Sequence, residues 1–200
     1  MNKKGGAFAP PFFWLTLTMK KILVIVLVFV SSVSFAQTNE SQATYEDYVQ
    51  TAKDSAFSGQ YFEAIQECNK AINLEPKNPW AYAIRAFGKI GLTDYRGAIS
   101  DCDKSIKLYS INDIYPANDS IYIGIYYLRG LAKQMLSDFK GSLADGNKVI
   151  ELDSTSAMGY YIRGLAKYGL GDKDGACLDM SKAGELGMAD AYEAIKEGCN

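Results

Sequence analysis

The chain has no histidine among its 200 residues, which removes the commonest general base and the commonest metal ligand. It also lacks a Gly-rich phosphate loop, a nucleophile elbow and a close Cys-x-x-Cys pair. Its acids are many, yet none forms a cluster that does not repeat. The expectation is a protein that is not an enzyme and needs no cofactor and no metal. A basic patch is missing too. Lys3, Lys4, Lys20 and Lys21 are the only charged residues before Gln37, so the formal charge of −2 leaves the rest of the chain six charges acidic. That argues against a nucleic-acid partner, which calls for a basic face.

Long apolar runs are scarce, with one exception. Met19-Lys20-Lys21 precedes an unbroken apolar stretch from Ile22 to Val30, and Ser34-Phe35-Ala36 follows. This order of positive, apolar and small residues reads as an export signal over 1–36, cleaved between Ala36 and Gln37. The stretch falls short of the ~20 residues of a membrane-spanning helix; an uncleaved anchor stays open as the rival reading. Residues before Met19 read as an upstream extension, with Met19 as the alternative start. No cysteine stands just after the site, so a lipid-modified amino terminus is not expected. The mature chain should work in the periplasm or outside the cell, with no integral membrane span.

What the sequence does have is a repeat. Tyr-Tyr-Leu-Arg-Gly-Leu-Ala-Lys at Tyr126–Lys133 returns as Tyr-Tyr-Ile-Arg-Gly-Leu-Ala-Lys at Tyr160–Lys167, 34 residues later, and a looser copy occupies Tyr82–Lys89. After a polar lead-in at 37–44 come four units, 45–78, 79–112, 123–156 and 157–190, with an insertion at 113–122. Numbered from one, each unit has tyrosine at position 4 (Tyr48, Tyr82, Tyr126, Tyr160). Position 8 is small (Ala52, Ala86, Gly130, Gly164), as is position 20 (Ala64, Ala98, Ser142, Ala176), and position 30 is leucine (Leu74, Leu108, Leu152, Leu186). Small residues let two antiparallel helices approach, while the tyrosines and leucines fill the space between and behind them. Asp94, Asp138 and Asp172 fall where second helices should start and can cap their free N–H groups.

A period of 34 marks a helical hairpin that buries its apolar face only by stacking on its neighbours. The pattern over 45–190 resembles the tetratricopeptide repeat. The resemblance implies an all-α solenoid of four helix-turn-helix hairpins, right-handed, closed by a C-terminal cap helix over 191–200. One departure is the proline ending each unit, kept at Pro76 and replaced by Ser110, Ser154 and Met188. In the insertion, Pro116 stops an incoming helix, while Asn118, Asp119 and Ser120 offer a cap for a lengthened helix in unit three.

Arginine at position 7 (Arg85, Arg129, Arg163) and aspartate at position 23 (Asp101, Asp145, Asp179) read as structural ion pairs. Two registers are open. The pairs form within a unit, or they join one unit to the next as Glu67–Arg85, Asp101–Arg129 and Asp145–Arg163. The position-26 lysines (Lys70, Lys104, Lys148, Lys182) read as a solvated face. Cys68 and Cys102, both at position 24, read as buried fillers with free thiols, since packed helices stand about 8–10 Å apart and a disulfide wants Cα atoms within about 7 Å.

In proteins of this repeat family the first helices line a concave groove that takes extended or helical peptides. Carried over residue by residue, that groove consists of Val49, Lys53 and Phe57, then Trp80, Phe87 and Ile90, then Tyr127, Leu131 and Gln134, then Tyr161, Leu165 and Tyr168. It lacks the lysine and asparagine set with which chaperone-binding members hold a terminal carboxylate. Exported bacterial members of the family also pair a cysteine of the final repeat with one near the end. Here that implies a Cys177–Cys199 disulfide, which export favours. The resemblance thus implies a protein or peptide partner for a non-enzymatic binding module; the alternative is a structural or assembly subunit of a cell-envelope complex.

Overall fold

Thr44 starts the first helix with a capping box: its side-chain oxygen accepts from the Asp47 backbone N–H at 3.3 Å, and Asp47 Oδ2 accepts from the Thr44 backbone at 2.8 Å. The computed structural model describes residues 43–111, 120–189 and 191. The chain divides after Ala43 into two units, and all the described helices lie in Thr44–Asn200. The expected export signal, most of the lead-in, most of the insertion, Cys199 and nearly all of the expected cap helix lie outside the described residues.

Among the described residues eight α-helices follow in order: α1 Tyr45–Phe57, α2 Tyr61–Leu74, α3 Pro79–Gly91, α4 Tyr95–Ser110, α5 Ser120–Met135, α6 Phe139–Leu152, α7 Ala157–Gly169 and α8 Lys173–Glu185. No strand occurs among the described residues. Each hairpin packs internally and each second helix packs on the next first helix. First helices also touch one another from unit to unit, and no second helices make a comparable contact with each other among the described residues. The first-helix row therefore lies on the inside of the curve. The solenoid expected from the repeat is the fold observed.

The local signals act as read. Asp94, Asp138 and Asp172 accept from the N–H groups of Gly97, Gly141 and Gly175 at 2.9, 3.0 and 2.9 Å. The small residues at positions 8 and 20 are all buried. One leucine departs: Leu74, the last residue of α2, is 50 % exposed.

Two turn features were not legible beforehand. Position 15, between the helices of a unit, takes a positive φ in every unit: Gly59 at 77°, Thr93 at 62°, Ser137 at 61° and Gly171 at 89°. Losing the proline between units leaves the turn unchanged. Asn78 N–H donates to the Glu75 carbonyl at 3.1 Å beside Pro76, and Ser156 N–H donates to the Asp153 carbonyl at 3.1 Å where Ser154 stands instead. Position-4 tyrosines close both turns, Tyr82 Oη onto the Pro76 carbonyl and Tyr160 Oη onto the Ser154 carbonyl. At the insertion Tyr126 Oη meets Tyr122 Oη instead, at 3.1 Å.

Candidate functional site

The repeated octapeptide sets Tyr, Arg and Lys at positions 4, 7 and 11, a spacing that puts all three on one helix face. All three converge with one buried aspartate. Arg85 grips Asp101 through two nitrogens at 2.8 and 2.6 Å, and Lys89 adds a third contact at 2.8 Å. Arg129 and Lys133 hold Asp145, and Arg163 and Lys167 hold Asp179, in the same way. Each guanidinium stands 5.2–5.4 Å from its tyrosine ring centroid. The aspartates lie within the arginine's own unit, which decides between the two registers.

The alternative pairs, Glu67–Arg85, Asp101–Arg129 and Asp145–Arg163, do not form. Glu67 pairs with Lys70 instead. The link to the preceding unit runs through position 25, a partner not foreseen. Arg85, Arg129 and Arg163 give their remaining nitrogen to Asn69, Asp103 and Asn147. Each arginine thus ties three consecutive helices together. Its hydrogen bonds to Asp101 raise the Arg85 pKa, and those to Asp179 raise that of Arg163. For Arg129 burial pulls the other way, and Asp145 with Asp103 overcomes it.

Three of the position-26 lysines face water and pair with acids three residues away: Lys70 with Glu67, Lys148 with Glu151 and Lys182 with Glu185. Cys68 and Cys102 are free and buried, and burial pushes both thiols up to about 12. Cys177 is not one of the free cysteines. Among the described residues no three Cys, Asp or Glu side chains are grouped to hold a metal. No described helix is long and apolar enough to cross a membrane.

On the first-helix face, an apolar pocket of about 240 Å³ opens between α1, α3 and α5. Of the groove residues carried over from the family, Lys53, Phe57, Trp80 and Phe87 line it. Phe57 is 85 % exposed at its mouth, with its ring 6.2 Å from that of Phe87. The walls missed from sequence are Ala56, Ala83, Ile84, Ile121, Gly124, Ile125 and Leu128. Ile121 belongs to the additional turn that lengthens α5 at its start, so the insertion that breaks the period supplies one wall. The lengthening was readable from the Asn-Asp-Ser cap, but the register of the added turn was not.

Val49 is corrected from groove to core. It is 5 % exposed and packs with Tyr45, Ala71 and Ala81. Tyr45, Val49, Ala52 and Ala56 form one i, i+4, i+7, i+11 stripe that turns inward. Ile90 is half-buried against the cluster around Ala86 and Ala98. In the carboxy-terminal half, Tyr127 packs against the Ile123, Tyr126 and Val149 cluster, and Leu131 is half-buried. Gln134 donates to the Leu165 carbonyl at 3.1 Å. Tyr161 and Leu165 pack on Met180, Ala183 and Ala191, and Tyr168 is 52 % exposed.

No protein-family model matches the chain, and no curated protein does. Solved structures do. MamA from Desulfovibrio magneticus RS-1 aligns with a TM-score of 0.59 at 21 % identity, over 72 % of this chain and 75 % of that one. The Cut9–Hcn1 hetero-tetramer of the APC/C gives 0.73 at 13 % identity, over 80 % and 30 %. The first TPR domain of human RPAP3 gives 0.56 at 23 % identity, over 66 % and 95 %. The fold is that of a tetratricopeptide-repeat protein.

Proposed function

We propose that the chain is a non-catalytic module that holds a segment of a protein partner on its first-helix face, after export to the periplasm or cell exterior. The observation that carries this reading is the apolar pocket with Phe57 exposed at its rim, since exposed aromatic and aliphatic side chains around a cleft are what a binding hot spot needs. A similar solved structure, the first TPR of Spaghetti (RPAP3), is bound to an HSP90 peptide. That supports a peptide as the kind of ligand and leaves its sequence open. Immobilised peptide arrays probed with the protein test it: Phe57→Ser should abolish the captured spots while leaving the melting temperature unchanged, and undiminished capture would refute the assignment of this face.

Export rests on the Met19–Ala36 pattern. Cleavage before Gln37, read by amino-terminal sequencing of protein from whole cells, is the expected result. Export also favours the Cys177–Cys199 disulfide; alkylation followed by non-reducing mass measurement should find both cysteines protected, and two alkylated thiols there would end that pairing. The second reading, a subunit of an envelope assembly, is supported by Phe62 and Leu178, exposed at 60 % and 73 % on second helices. A stable stoichiometric complex in envelope extracts, lost in Leu178→Ser, would favour it.

A further inference from the structure

We propose that the α1/α3/α5 pocket takes a large apolar side chain of a peptide that carries an aspartate or glutamate beside it, the acid being held by Lys53. This rests on the reading of the first-helix face as a peptide groove and names the chemistry of its ligand.

The lining divides sharply by charge. Every described residue that lines the pocket is apolar except Lys53. At about 240 Å³ the space is below the roughly 300–1,000 Å³ of sites that enclose whole small molecules. It suits one or two side chains entering from an extended or helical segment.

Lys53 differs from the other lysines of the inner face. Lys89, Lys133 and Lys167 are each neutralised by a buried aspartate. Lys53 takes part in no ion pair with a described residue. Its ammonium stands 5.4 Å from the centroid of the Trp80 ring, a cation–π contact that holds it at the pocket wall. A half-buried cation on an apolar rim, with no acid paired to it among the described residues, favours an occupant that supplies one. The chain beyond residue 36 is itself acidic, so its long-range field repels such a ligand rather than gathering it. Selection must come from Lys53 at contact range.

The same wall residue that breaks the repeat, Ile121, closes the pocket on the α5 side. One wall of the site is therefore particular to this chain's insertion, while the rest is built from repeat positions.

Tryptophan occurs at positions 14 and 80 only, so the full chain with Trp14→Phe reports on the pocket through Trp80 emission. The probes are a short acetylated and amidated peptide with adjacent leucine, phenylalanine and glutamate, its glutamine counterpart, and octanoate. The glutamate peptide should shift the emission with a Kd about tenfold lower than the glutamine peptide, and Lys53→Met should erase that difference while keeping the stem's packing on the indole. Equal affinities in the parent protein, or a preference that survives Lys53→Met, overturns the inference and leaves the groove reading standing. A response to octanoate alone assigns the pocket to a small amphiphile and overturns it. An emission change with protein concentration and no peptide assigns the pocket to a second copy and overturns it. If neither peptide binds, both this inference and the groove reading of this half fall.

Discussion

Arg129 and Asp145 face each other across the third hairpin, with side-chain exposures of 18 % and 3 %. Removing the acid strands Lys133, which contacts the same carboxylate at 2.8 Å, and leaves Arg129 with only the exposed Asp103. Asp145→Ala should lower the unfolding free energy by about 3–5 kcal/mol in urea titration. Replacing all three partners by apolar residues of similar size should recover most of that loss. If the triple variant is no better than Asp145→Ala, the penalty lies in packing and not in unpaired charge.

Position 15 allows a test that runs in both directions. Thr93 holds φ at 62°, a region that disfavours β-branched side chains, and Gly171 sits at 89°. Thr93→Gly should stabilise by about 0.5–1 kcal/mol after glycine's greater unfolded-state freedom is set against the relieved strain. Gly171→Thr should destabilise by about 1–2 kcal/mol. Thermal unfolding of the two variants gives the signs; the same sign for both would contradict the turn geometry.

Two glycines on adjacent helices should respond oppositely to one methyl group. A Cβ on Gly146 would lie 2.9 Å from the Arg163 backbone nitrogen and 3.0 Å from its Cα, atoms that cannot yield without moving α7. A Cβ on Gly124 would meet no atom within 4 Å outside its chain neighbours and its own turn of helix. Gly146→Ala should therefore destabilise by about 1–3 kcal/mol, while Gly124→Ala should stabilise by about 0.5–1 kcal/mol through helix propensity alone. Circular dichroism melts decide.

Alkaline pH should expose the buried thiols. Burial raises Cys68 and Cys102 to about 12, whereas unfolded cysteine ionises near about 8.5. Folding thus favours the neutral thiol, a contribution complete below about pH 8.5 and lost as pH climbs through about 12. Unfolding free energy should fall over that window, less steeply in the Cys68→Ala/Cys102→Ala variant. Identical slopes would remove the thiols from the account.

Trp80 carries a buried indole N–H with no hydrogen-bond partner among the described residues, a loss of about 1–3 kcal/mol. Trp80→Phe should leave the melting temperature unchanged or raise it, despite the smaller ring. A marked drop would mean that the indole's packing against α3 and its neighbours outweighs the unmet donor.

The repeat made the fold legible because its signals are local. Asp94, Asp138 and Asp172 cap the helices that they precede, and small residues recur where helices must approach. Gly59 and Gly171 mark position 15, but Thr93 and Ser137 hide the pattern, since strain leaves no compositional trace. Part of the site was readable: Lys53, Phe57, Trp80 and Phe87 line the pocket as the family's positions imply. Val49 does not, because the inward stripe of α1 runs through it.

Sequence alone determined the helices, their pairing and their order, since a fixed period with recurring caps and small residues admits one way of stacking. It also placed Arg and Asp in register without saying which aspartate each arginine would meet. Only the tertiary structure decided that, because position 23 of the same unit and of the unit before are equally available on a chain drawn as a line. The pocket likewise arises where α1, α3 and α5 meet, with Ile121 of the additional turn as one wall. A cavity is set by the relative placement of three helices distant in sequence, and spacing along the chain does not carry that information.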